Sequence, residues 1–143
     1  MLFCKFTSQT THKMYSAESD IQIACVNWFS YQYPQLSQVL IHVPNGRSRP
    51  KKTKRLRDGR VIQYSPEGKK LKMEGLRKGT ADLLLLTPRQ GYGALCIEIK
   101  TPKGTQSPSQ KVWERLAIAA GNKYVVCKSL DDFMHQVRSY LGS

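Results

Sequence analysis

From Ser16 the chain reads as a helix, because Ile21, Cys25, Trp28 and Phe29 recur at i, i+4, i+7 and i+8. This apolar stripe runs to about Tyr33 and stops before Pro34, with Glu18 near its edge. Residues 39–43, VLIHV, predict a short strand ended by Pro44, Asn45 and Gly46. Farther on, Asp58-Gly59 signals a turn and VIQY at 61–64 a strand. Ser65-Pro66 then opens a short helix that closes at Gly75. Two apolar runs, ADLLLLT at 81–87 and ALCIEIK at 94–100, predict strands buried on both faces at the centre of a sheet. Ser107-Pro108 starts another helix, with Val112, Trp113, Leu116, Ala119 and Ala120 as its apolar stripe and Gly121 as its end. KYVVC at 123–127 is a strand, and Ser129 to Asp132 form a capping box for a last helix through Leu141. Phe133, Val137 and Tyr140 on that helix are core or interface. The strand, helix, strand unit at 94–127 calls for a parallel crossover.

The pattern implies one α/β domain over 15–143, with a tail at 1–14 that shows no periodicity. The 143 residues suit a single core. No apolar run approaches the roughly 20 residues of a membrane span, and MLFCKFTSQTTHK lacks the apolar stretch of a signal peptide, so an intracellular protein with no membrane partner is expected. Cys4, Cys25, Cys96 and Cys127 form no C-x-x-C pair and have no His at ligand spacing, which favours free thiols over zinc or redox chemistry.

Charge changes the picture more than composition does. The net charge of +13 points to a polyanionic partner. It is also focused: residues 47–79 hold 13 of the 23 basic residues and 3 of the 10 acidic ones. Within this basic insert, Arg47, Arg49, Lys51, Lys52, Lys54, Arg55, Arg57 and Arg60 put eight cations into 14 residues, enough to neutralise several phosphates. A solvated loop or a nuclear-localisation patch has the same composition. Tyr64 is the insert's only aromatic, so recognition of backbone and shape fits better than base readout.

Asp82 and Glu98 are acids inside apolar strands, where a carboxylate needs a partner or a metal. Alternation puts Glu98 and Lys100 on one face about 7 Å apart, and pairing of the two strands would bring Asp82 and Glu98 to one cation. Phosphodiester hydrolysis calls for such a set: two hard oxygen ligands for Mg²⁺ or Mn²⁺, and an amine that orients water and offsets negative charge. The acid-x-Lys tripeptide alone is weak evidence, since Glu67-Gly68-Lys69 also matches it. From the residues alone, a metal site and a plain ion pair of Lys100 with Glu98 or Asp82 both stand.

Gly79-Thr80-Ala81-Asp82, then Glu98-Ile99-Lys100, then Ser107 and Gln110 at a helix start, resemble the VRR-NUC family of the PD-(D/E)xK nuclease superfamily. The resemblance covers roughly residues 16–130. It extends to Glu18 with Gln22, to His42-Val43-Pro44-Asn45-Gly46 and to Glu74-Gly75-Leu76, and departs where Ala81 replaces the usual Pro. It implies a restriction-endonuclease-like core, a mixed sheet flanked by helices, and a catalytic set of Glu18, Asp82, Glu98, Lys100 and Gln110. Asp82, Glu98 and the Ile99 carbonyl would ligate Mg²⁺ or Mn²⁺, with Glu18 completing the site directly or through water. Lys100 would position the attacking water, supported by Gln110. His42 and Asn45 stay outside that set. Small stand-alone members of this family act as homodimers on four-way DNA junctions. The implied function is thus a junction resolvase, in a bacterial or virus-infected cell, with branched DNA as partner. A flap nuclease, a nicking or restriction-type nuclease and a non-catalytic DNA-binding module are the alternatives.

Overall fold

A computed structural model describes residues 16–45 and 50–142. The expected tail, Cys4, Arg47 and Arg49 lie outside these residues. Helix α1 (Ala17–Gln32) starts at Ser16, whose hydroxyl accepts from the Ser19 amide, and carries Glu18 and Asp20 at its positive end. A 3₁₀ turn over Pro34–Val39 follows, so strand β1 is only Leu40–His42. Strands β2 (Lys52–Arg55) and β3 (Val61–Tyr64) form a separate hairpin, after which come α2 (Pro66–Met73) and β4 (Leu83–Leu85). Then β5 (Leu95–Ile99), α3 (Pro108–Ala119), β6 (Lys123–Cys127) and α4 (Leu130–Leu141) complete the described chain.

The main sheet has the order β1-β4-β5-β6; β4 pairs antiparallel with both β1 and β5, and β5 pairs parallel with β6. It is therefore a mixed sheet, and the parallel pair spans the α3 crossover as expected. Cys25 and Phe29 of α1 and Phe133, Val137 and Tyr140 of α4 pack with Leu83, Leu85, Ile97 and Ile99 on one face. The α4 face is thus core. Ala117, Trp113 and Tyr124 pack with Ala81 and Cys96 on the other face. Helices cover both sides, and β5 is buried at every position.

Three local expectations need correction. The β4 run is not buried on both faces: the α3-side cluster reaches Leu84, while Leu86 is 51% exposed. On α3, Val112 and Leu116 face solvent, whereas the inward stripe is Gln110, Trp113, Glu114 and Ala117. Polar side chains occupy inward positions there because they serve buried partners, so hydrophobicity alone selects the wrong face. At α4, Ser129 accepts from the Asp132 amide, but the Asp132 carboxylate accepts from Lys128 instead of closing a capping box. Sequence reading also missed strand β2, whose KTKR residues carry no apolar alternation. Its pairing with β3 is set by the turn in which Asp58 accepts from Arg60 and Gly59 adopts φ 83°. Among the described residues no helix is long and apolar enough to cross a membrane. Cys25, Cys96 and Cys127 are free and buried, and burial pushes their thiols up to about 12, 11 and 12.

Candidate active site

The β4–β5 ladder ends at the pair Leu83–Ile97, and the next positions in the same register are Asp82 and Glu98. These two acids therefore stand opposite each other at the end of the sheet's two central strands. Where the next strand carbonyl would accept from the Ile99 amide, the Asp82 carboxylate does so instead, at 2.8 Å. This bond replaces a missing ladder contact and fixes the acid's direction. Asp82 is also held through its backbone, since its carbonyl accepts from Val43 N at 2.9 Å and lies 3.0 Å from His42 Nδ1. That imidazole nitrogen is 2.9 Å from Gln22 Nε2 on α1. Nδ1 either donates to the Asp82 carbonyl or accepts from Gln22, according to tautomer, so His42 sits between the strand end and α1.

Glu98 is completely buried, yet it is well partnered. Its Oε1 lies 2.9 Å from Lys100 Nζ and accepts from Gln110 Nε2, while Oε2 accepts from the Tyr124 hydroxyl at 3.3 Å. Gln110 does two jobs: its oxygen accepts from the Ser107 amide at 2.7 Å, completing the capping box of α3, and its nitrogen holds Glu98. Tyr124 is positioned by Gln106, whose amide donates to the phenol at 3.3 Å and to Glu114 at 2.9 Å. Sequence reasoning missed Tyr124, Gln106 and Glu114. Only Tyr124 left a signal, as a polar-tipped residue at the head of the apolar YVVC run.

Lys100 turns from the strand end toward α1, where Glu18 Oε1 lies 3.9 Å from its ammonium. Burial pushes the Glu98 carboxyl up to about 7, against the opposing pull of Lys100. Burial also raises Asp82, opposed by its bond to Ile99. For Lys100, burial would lower the ammonium, but the bond and charge of Glu98 and the charges of Glu18 and Asp82 outweigh it, so it stays protonated above its ordinary value. Burial and the Glu98 charge raise the Tyr124 phenol as well.

The loop before Asp82 is wedged against α3. Gly79 has φ 82°, and a Cβ there would sit 2.3 Å from the Ser109 carbonyl oxygen. Only glycine allows so close an approach at that dihedral. Asn45 donates to the Thr80 carbonyl, and Thr80 donates to the Arg77 carbonyl at 2.9 Å. Asn45 is thereby a brace for the loop.

The structure gathers Glu18, Asp82, Glu98, Lys100 and Gln110 around the end of β5. A carboxylate offers roughly four acceptor positions; these bonds occupy three at Glu98 and one at Asp82, so both acids keep acceptor capacity that a hard divalent ion could use. Among the described residues no three His, Cys, Asp or Glu side chains are close enough to hold an ion by themselves. A third protein ligand would be another oxygen, for which the Ile99 carbonyl, next in sequence to Glu98, is a candidate. The described members of the basic set, Lys51, Lys52, Lys54, Arg55, Arg57 and Arg60, are all exposed on or beside the hairpin.

No curated protein matches this chain significantly. A solved structure described as a VRR_NUC domain protein superposes with a TM-score of 0.68 at 24% identity, covering 90% of this chain and 91% of that one, and so shares the fold. The model of the VRR-NUC domain matches residues 16–131, from the first turn of α1 through the strand ends and α3 to α4. The chain accordingly belongs to the VRR-NUC family of the PD-(D/E)xK superfamily, a nuclease-type domain with DNA as its partner.

Proposed function

We propose that this domain is a Mg²⁺- or Mn²⁺-dependent endonuclease that hydrolyses phosphodiesters in branched DNA, acting as a homodimer on four-way junctions. The observation that carries the reading is the register: Asp82 and Glu98 face each other on adjacent strands, with the Lys100 ammonium against Glu98. A divalent ion held by Asp82, Glu98 and the Ile99 carbonyl would neutralise phosphate charge and make a water more acidic. Lys100 keeps its proton and donates toward the attacking water or the phosphate oxygens. Gln110 and Tyr124 fix Glu98 so that only one arrangement of its oxygens faces the reaction. Glu18 restrains the Lys100 side chain from the α1 side.

The junction reading rests on the resemblance to small stand-alone members of the family and on symmetry. A single module of this kind cuts one strand, and two copies about a two-fold axis address both symmetric scissile positions of a junction. The test is incubation with mobile four-way junctions and with simple flaps in Mn²⁺, using wild type and Asp82→Asn, with the oligomer measured by sedimentation. Paired symmetric nicks in the junction by a dimeric wild type, absent in the variant, are expected. Cleavage of flaps alone by a monomer would replace the resolvase reading with a flap nuclease, and no metal-dependent cleavage would remove the catalytic reading.

A further inference from the structure

The hairpin and α2 carry apolar surface that phosphate contacts do not use. Every residue of β2 and β3 is exposed. In their register Lys52 stands opposite Tyr64 and Lys54 opposite Ile62, so alternation sets two ammonium groups and two apolar side chains on one face. Ile62 is 40%, Tyr64 42% and Met73 79% exposed. Tyr64 and Met73 flank an open groove of about 570 Å³, bordered by Lys69 and Lys70. Lys70 forms an exposed pair with Glu74 at 3.7 Å, Lys69 borders the groove with no such pair among the described residues, and Lys52 stands beside it opposite Tyr64 on the hairpin.

A DNA double helix presents phosphates and groove edges but hides the faces of its bases. Cations alone would serve such a partner, and Tyr64, Ile62 and Met73 would gain nothing from it. Interleaved lysines and flat or flexible apolar side chains match unpaired nucleotides, whose bases stack on aromatic rings while their phosphates meet ammonium groups. A second copy of the chain fits poorly, since segment 47–79, with 13 basic and 3 acidic residues, would meet its own charge.

We propose that the Tyr64–Met73 groove seats an unpaired DNA nucleotide, with its base against the Tyr64 ring and its phosphate toward Lys69 and Lys52. The assignment rests on the reading of the domain as a nuclease for branched DNA and names the feature it recognises, an opened base beside the branch. Helix α2 links the groove to the active site: Lys72, on the same helix, lines a second cavity of about 350 Å³ together with Gln110, which holds Glu98.

The test is DNA binding by the whole chain in EDTA. One probe is a perfectly paired duplex, and the other is the same duplex with a short single-stranded gap containing 2-aminopurine. Wild type should bind the gapped DNA about tenfold more tightly and quench the 2-aminopurine. Tyr64→Ala should lose both the preference and the quenching, Tyr64→Phe should keep them, and the exposed position should leave the melting temperature unchanged. Equal affinity of wild type for both probes, or equal weakening of both by Tyr64→Ala, overturns the assignment. It is overturned too if Tyr64→Ala keeps the gap preference but abolishes binding to phosphatidylserine–phosphatidylcholine vesicles, which would give the face to an anionic membrane. Failure of the nuclease reading shows separately, as absence of Mn²⁺-dependent cleavage of four-way junctions and flaps by wild type.

Discussion

In protein stripped of metal, Glu98→Gln is expected to raise thermal stability, and to raise it more at pH 8 than at pH 5. Glu98 has no exposed surface, and burial lifts its carboxyl from the ordinary 4.5 to about 7 even with Lys100 and Tyr124 favouring the charged form. Between those values the folded chain holds a proton that the unfolded chain has released, so stability falls as pH rises through that window. At about 1.4 kcal/mol per pKa unit, the ionised carboxylate destabilises the metal-free fold by about 3 kcal/mol at pH 8 and about 1 kcal/mol at pH 5. Glutamine removes the charge and keeps the shape: its oxygen can accept from Lys100 and Gln110, and its nitrogen can donate to the Tyr124 oxygen. With about 2–4 °C per kcal/mol in a chain of this size, the variant should melt roughly 6 to 12 °C above wild type at pH 8 and within about 4 °C of it at pH 5. Circular dichroism melts in EDTA at the two pH values provide the measurement. Saturating Mn²⁺ should close or reverse the gap at pH 8, because the ion stabilises only a chain that binds it. If Glu98→Gln melts lower than wild type at both pH values, Glu98 is a structural partner of Lys100, and the inference from buried acid to metal site fails.

Gly79→Ala combines left-handed strain of about 1–2 kcal/mol with a Cβ placed 2.3 Å from the Ser109 carbonyl oxygen. It should lower the urea midpoint clearly and abolish cleavage by moving the loop before Asp82 away from α3; an unchanged midpoint would contradict this packing. Tyr140→Phe removes the hydroxyl that donates to the buried Thr87 carbonyl at 2.7 Å. A loss of about 1–2 kcal/mol with cleavage intact is expected, and a loss of cleavage at unchanged stability would refute the structural role. Replacing Lys52, Lys54 and Arg55 together by Gln should make the slope of log affinity against log salt shallower by about 2 to 3, at about 0.9 per phosphate contact. An unchanged slope would take the hairpin out of the DNA interface.

What the sequence disclosed depended on whether a residue's surroundings follow from its near neighbours. Helix starts at Ser16, Ser65, Ser107 and Ser129 are local chemistry, a hydroxyl reaching an amide three residues on, and all four form. The buried run of β5 and the convergence of Asp82 with Glu98 were legible as well, because an acid in an apolar strand demands a partner. The inward face of α3 was not, since Gln110 and Glu114 take core-facing positions to reach Glu98 and Gln106, contacts that pattern alone cannot reveal. Strand β2 was hidden for a related reason: Lys52–Arg55 is a strand only because β3 pairs with it. Tyr124 entered the site through strand register, a long-range fact that fixes which face its phenol takes.

Asp82 is both a structural acceptor and a candidate metal ligand, so the choice of substitution decides what an inactive variant means. The ladder stops at Leu83–Ile97, and the carboxylate is the acceptor that satisfies the Ile99 amide. Asp82→Ala leaves that amide without its partner and should lose about 1–3 kcal/mol, so its inactivity would follow from a displaced strand end as readily as from a lost ion. Asp82→Asn retains a carbonyl oxygen for Ile99 and removes only the charge. In EDTA it should melt within about 1 kcal/mol of wild type, while the heat of Mn²⁺ binding in calorimetry and the cleavage of junction DNA should both disappear. An Asp82→Asn protein that binds Mn²⁺ as tightly as wild type would place the ion elsewhere, and the pairing of Asp82 with Glu98 would then be a device for closing the ladder.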